Sequence, residues 1–538
     1  MIQWRFAARL MSCVSILALG SAGAAAHGGG CFEVTGPTTI NTNKKCVEVE
    51  RRVTGDVVNN ATIGKGNSGN GVGDGNAERK DPGFFIGDEG LIDGQLVNNG
   101  TIVGGSLGSG ALTLGDDADV TGGIFNNGTI ASKRGSGISL GSIEYDDGEV
   151  EIEAAKLTGD IVNAGLISGH DFGIAARYGT MTGSLINQST GVISGGLAGV
   201  YIPDTFTSWT GGIHNSGTIG GAYGGILIGD WGLPTGGYGG EEGGEHGGEA
   251  GAQYLQAQGS GVVFDGGIFN ATGATIVSEY GPSIGIGGAS FAGGVYNDGL
   301  ITQELGEDEG YGFLSSPYRG VGIVFAAGTV EGGLTNDTNG QIFGLEGPAV
   351  WITDKTSSFG GGIDNAGLIS GASDGIRIES ATFAGGLFNR ETGQIVAAYG
   401  DGVFATSAWS GGVRNDGLIS GARNGFTFDG TTFAGGFANN GTIEGGANAA
   451  ALSGESFEGG FANAGQLTGG TNGVAMSFTT IAGGFTNSGA ITGTYGNGVS
   501  ISATDWGAAD ARADIHNTSS GVIEGGATGF DLSATNVY

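Results

Sequence analysis

Carboxylates are the side chains of this 538-residue chain best equipped for chemistry. The run Glu241-Glu-Gly-Gly-Glu-His246-Gly-Gly-Glu249 brings together Glu241, Glu242, Glu245, His246 and Glu249, and hard divalent cations take such oxygen ligands. The plainer reading, a solvated acidic Gly-rich loop, is preferred because glycine separates the acids and fixes no geometry. Asp116, Asp117 and Asp119 could hold calcium. The EF-hand spacing is missing, as is the Gly-Gly-x-Gly-x-Asp nonapeptide of calcium-binding β-rolls, so a solvated turn is preferred there too. His170 beside Asp171 invites an acid–base reading. One such pair without a placed nucleophile defines no triad, and a surface corner is the better account. Runs such as Gly195-Gly-Leu-Ala-Gly199 lack the strand–loop–helix setting of a phosphate cradle. No catalytic residue, cofactor or metal site is assigned.

What positions these residues is a repeat. Trp409-Ser-Gly-Gly-Val-Arg-Asn415, Phe433-Ala-Gly-Gly-Phe-Ala-Asn439, Phe457-Glu-Gly-Gly-Phe-Ala-Asn463 and Ile481-Ala-Gly-Gly-Phe-Thr-Asn487 are near-copies spaced by 24 residues. A fixed period of this size marks a repeat architecture. The same phrase, more loosely spelled, recurs from Asn59 to Asn517, sixteen times in all, with Asn365 and Asn389 among its members. Six residues before the Asn and two before it stand apolar side chains; four after it stands Ile or Leu. In five repeats that last residue comes at plus six, as in Asn389-Arg-Glu-Thr-Gly-Gln-Ile395, so one turn exists in two lengths. A third segment alternates apolar and polar residues, as in Gly425-Phe-Thr-Phe and Gly498-Val-Ser-Ile, which is a strand period. Helix is disfavoured, since each frequent glycine would cost about 1 kcal/mol in one.

These columns predict an all-β fold: a parallel β-helix or β-solenoid of about 16 rungs of ~24 residues, three short strands per rung. At ~4.8 Å per rung the rod is about 75–80 Å long, and the crossover rule makes its coil right-handed. Asn365, Asn389, Asn415, Asn439, Asn463 and Asn487 are expected to be structural, their amides bonding up and down a stacked ladder. The glycine two residues later is expected to supply backbone freedom at the corner.

The chain carries 20 Lys+Arg against 53 Asp+Glu, a net charge of −33. Such a surface repels nucleic acid and anionic lipid, so neither is an expected partner. Glycine numbers 121, a level that would suggest disorder without a period. Residues 1–26 read as a signal peptide: Arg5 and Arg9, an apolar run over Leu10–Leu19, and Ala24-Ala25-Ala26 before His27. Cys13 leaves with it. Cys31 and Cys46 remain as an even pair in an exported chain and are expected to form a disulfide. Closing a loop of about 15 residues is worth roughly 3 kcal/mol in the chain-entropy account. The expected domains are therefore 1–26, a cap at 27–52 with that disulfide, and the repeat region 53–538. Polar or acidic insertions leave the rod near 64–90, 141–153, 232–261 and 304–318.

A signal peptide followed by Gly-Gly-apolar-x-Asn-x-Gly-x-Ile units over roughly 32–538 resembles the passenger region of Gram-negative autotransporters. That resemblance implies export, passage through a C-terminal outer-membrane β-barrel, and display at the cell surface or release outside it. The barrel's ten-residue alternating strands do not follow Asn517; a translocator lost by truncation, or a separate one, is the expectation. The implied function is a non-enzymatic surface protein, an adhesin or structural stalk that meets host-surface or matrix molecules. The alternatives are a polysaccharide-acting β-helix enzyme and a self-associating surface-layer protein. A specific site is expected in the decorated N-terminal two-thirds, with the regular run at 409–489 as spacer.

Overall fold

The computed structural model describes residues 31–538 except 65–82, 88–89, 105–109, 147–148, 232, 234–260, 305–316, 508–512 and 538. The expected signal peptide and the acidic run 241–249 lie outside the described residues. Every described regular element is a strand. The chain coils into a parallel β-solenoid with three sheets, A, B and C. All sixteen repeats place a strand in sheet C, but about 14 turns close all three sheets, slightly fewer than expected. At the N-terminal end Val53 meets Ile92 through an isolated bridge, and Leu91–Ile92 pairs with Asp119–Val120 as a separate two-stranded sheet.

Sheet B has the simplest logic. Each strand is three residues long, as in Val413–Asn415 and Phe437–Asn439. The first residue points into the core, the second outward, and the third is the recurring Asn, again inward. Strands pair in strict register from turn to turn, Asn over Asn, in an open ladder from Thr38–Ile40 to Ile515–Asn517. The ladder residues from Asn59 to Asn487 are 0–2% exposed, and Asn517 in the last turn is exposed. Each Nδ2 donates to the Oδ1 of the Asn one turn on: Asn365 to Asn389 at 2.8 Å, Asn389 to Asn415 at 2.7 Å, and Asn415, Asn439 and Asn463 onward at 2.8 Å each. The same Nδ2 reaches a corner carbonyl, Gly417 O from Asn415 and Gly393 O from Asn389, both at 3.2 Å. Thus the two turn lengths present one glycine carbonyl to the amide, and this equivalence lets them stack.

The glycines of that corner have a different role from the one expected. Gly417, Gly441, Gly465 and Gly489 do not adopt positive φ. A Cβ on each would lie 2.0–2.2 Å from the glycine carbonyl oxygen of the preceding turn. Successive turns approach so closely that no side chain fits. The Gly-Gly pair before sheet B obeys the same rule: a Cβ on Gly385, Gly435 or Gly459 would lie 1.9–2.1 Å from backbone atoms of the turn below.

Sheet A supplies the rest of the wall. In most turns it is two short strands, for instance Val403–Ala405 and Ala408–Trp409. In the last four turns they fuse into ten-residue strands such as Asn472–Ile481. Its second segment delivers the apolar residue six before the Asn. Phe359, Phe383, Trp409, Phe433 and Phe457 stack through the core with ring centroids 4.6–5.5 Å apart. At the N-terminal end Cys31 and Cys46 are disulfide-bonded, with Cα atoms 4.6 Å apart.

The four insertions all flank the first segment of sheet A, entering or leaving at its ends. The one near 141–153 is a β-hairpin rather than a loop: Ser142–Asp146 pairs antiparallel with Glu149–Glu153. In the decorated turns the outward side chains of sheet A are covered. Thr113, Ser139, Ala175, Tyr201, Leu227 and Val324 are all 0–3% exposed. Some of these join Phe172, Tyr223 and Leu233 in a second apolar cluster outside the solenoid core. From Trp351 to Ser500 the same column is only half-buried, and Asp531 in the last turn is exposed.

Candidate binding groove

The acidic groups singled out in the sequence that fall among the described residues do not form a site. Asp119 accepts from the Thr158 hydroxyl at 2.6 Å and the Thr158 N–H at 2.8 Å, which makes it part of a turn. Asp117 takes a left-handed backbone, φ 49°. His170 Nδ1 lies 2.9 Å from Asp171 Oδ1 at an exposed corner. Among the described residues no three His, Cys, Asp or Glu side chains gather as metal ligands would.

What the structure does assemble comes from a column that the period does not fix, the residue just before each Asn. Register places Thr335, Asp364, Phe388 and Arg414 directly above one another on the outer face of sheet B. At ~4.8 Å per turn they span about 14 Å of the rod. Beside them run Gly361, Gly386, Gly412 and Gly435 of the Gly-Gly corner, which carry no side chains. The result is a groove of about 530 Å³, within the size range of ordinary ligand sites. It exists because the turn-to-turn approach forbids side chains along one wall while the outer row of sheet B raises the other.

The groove's charged groups are held in place. Arg390 grips Asp364 with both ends of its guanidinium, Nε to Oδ1 at 2.7 Å and an Nη to Oδ2 at 2.5 Å. This raises the Arg390 pKa, the Asp364 hydrogen bond being the main cause. Arg414 Nε donates to Asp416 Oδ2 at 2.8 Å, and its remaining N–H groups have no partner among the described residues. Burial pushes the Asp416 carboxyl up, but hydrogen bonds from Arg414 and Asn440 outweigh it and hold the group below its ordinary value. Phe388 lies between two cations, with the Arg390 and Arg414 guanidinium carbons 4.7 and 5.1 Å from its ring centre, a stabilising contact for both.

A second aromatic–arginine stack occupies the outer face of sheet A in the same turns. Trp351, Arg377 and Phe404 are consecutive in register. Arg377 sits 5.7 Å from the Trp351 ring and 4.9 Å from Phe404. Burial works against its charge, yet Glu379 and Asp374 more than offset that and raise its pKa. Arg423, paired with the fully buried Asp401 at 2.8 Å, caps Phe404 from 5.8 Å. Tyr318 extends the row, 5.4 Å from Trp351.

This outward row keeps no residue type from turn to turn, so the repeating columns do not reveal it. One signal was available: between Arg177 and Arg512 the chain has six basic residues, and all lie between 319 and 423. The groove also overlaps the start of the run read as spacer. No family model matches the chain, and neither a curated protein nor a solved structure does.

Proposed function

We propose that this chain is an exported, non-enzymatic surface protein, an adhesin-like rod that engages host-surface or matrix molecules through the sheet B groove. The groove is the observation that carries the reading. It is the right size for a ligand, it is open along the rod, and its polar groups are preorganised by ion pairs. Three further features support it. The disulfide at Cys31–Cys46 suits an oxidising compartment outside the cytoplasm. The solenoid agrees with the passenger-like resemblance, which is the basis for proposing display at the cell surface through a translocator. The carboxylates at the groove, Asp364 and Asp416, are each bound to an arginine, an arrangement that suits recognition better than proton transfer.

The test uses beads coated with the purified chain and surfaces coated with mucin, basement-membrane matrix or cultured epithelial cells. Wild-type beads are expected to be retained on at least one. The double variant Phe388→Ala, Arg414→Ala is expected to lose most of that retention while still unfolding as one cooperative solenoid, because both side chains lie on the outer face and outside the core. Equal retention of wild type and variant, or none on any surface, contradicts the proposal.

A further inference from the structure

We infer that the sheet B groove takes an uncharged linear glycan lying along the rod axis; the inference rests on the groove being the binding site. Its chemistry selects this class. Asp364 offers carboxylate acceptors, Arg414 offers guanidinium Nη donors that have no hydrogen-bond partner among the described residues, and the Thr335 hydroxyl can do either. Between them stands the apolar body of Phe388. Acceptor, donor and hydroxyl set against an apolar surface are what an array of sugar hydroxyls and C–H faces requires.

Charge narrows the class. The chain is strongly acidic, at −33 overall, so a polyanion is repelled at long range. Within the groove Arg390 balances Asp364, and Asp416 balances Arg414. A neutral ligand therefore meets hydrogen-bonding groups without a net field. Shape narrows it further. The groove runs for about 14 Å at ~4.8 Å per turn, bounded by glycine backbone on one side. A single extended polymer strand fits such a groove.

The experiment is calorimetric titration of the purified chain with cellohexaose, N-acetyl-chitohexaose and xylohexaose, with oligogalacturonate as the anionic comparator. At least one uncharged hexasaccharide is expected to bind with Kd below about 1 mM. Asp364→Asn and Phe388→Ala are each expected to weaken it about tenfold, the scale of one lost polar or apolar contact. Phe404→Ala on sheet A, away from the groove, is expected to leave it unchanged. Unfolding midpoints of all variants confirm that the rod is intact. Absence of binding by every uncharged hexasaccharide, tighter binding of oligogalacturonate, or indifference to Phe388→Ala overturns the inference. If beads still need the groove for retention while these sugars neither bind nor compete, the glycan assignment alone falls. If retention ignores the groove, the functional proposal falls with it.

Discussion

At the scale of single residues, the recurring asparagine is the costliest to change. Asn439 is buried, accepts from Asn415 and donates to Asn463, both at 2.8 Å. Replacing it with alanine leaves Asn463 Oδ1 above without its donor and removes one partner of Asn415 Nδ2 below, which keeps Gly417 O and Thr442 O. An orphaned buried acceptor costs about 1–3 kcal/mol, so Asn439→Ala is expected to destabilise by about 2–3 kcal/mol in urea unfolding. A loss under about 1 kcal/mol would show the ladder to be incidental. Tryptophan offers a paired test. The Trp209 indole donates to Gly183 O at 2.9 Å, while the buried Trp409 Nε1 has no partner among the described residues. Phenylalanine already fills the neighbouring positions of that column. Trp409→Phe is therefore expected to cost at least about 1 kcal/mol less than Trp209→Phe, since only the latter gives up a hydrogen bond. Equal costs would contradict the account.

At the scale of elements, the close stacking of corners explains most of the glycine content. A Cβ on Gly435 would lie 2.1 Å from the Gly411 backbone, whereas one on Gly360 would meet nothing nearer than 3.5 Å. Gly435→Ala is expected to lower stability by several kcal/mol, and Gly360→Ala to be neutral or to stabilise by up to about 1 kcal/mol through the unfolded chain. Comparable unfolding midpoints for the two variants would refute the steric reading. The sequence made the fold legible because the solenoid repeats its constraints: inward residues at Phe433 or Phe437 and the ladder Asn must recur in every turn. Two features were not legible. The glycine's purpose was assigned to backbone freedom, since a single repeat does not reveal how near the next turn comes. A second amide ladder, with Asn448 donating to Asn424 at 3.0 Å and Asn472 to Asn448 at 2.9 Å, is hidden because earlier turns place Asp401 and Asp374 there.

At the scale of the whole molecule, the solenoid divides along its length. The N-terminal turns carry the four large insertions and bury the outer column of sheet A; the turns from Trp351 onward leave it partly bare. The groove arises near that boundary, where four turns of nearly regular repeat bring Thr335, Asp364, Phe388 and Arg414 into one line. It was illegible in the sequence for a physical reason. Outward residues of sheet B are free of packing constraints, so their types follow no period, and their alignment is created only by register. The basic residues between 319 and 423 marked the region without marking the face. The central claim, that ligand is held by this row, is tested most directly by hydrogen exchange of the chain with and without the surface that retains it. Protection is expected in peptides covering 334–337, 361–365, 385–389 and 411–415, with the sheet A segments at 350–353 and 376–379 unchanged. Protection centred on those sheet A segments or on the decorated N-terminal turns, with none along the groove, would contradict it.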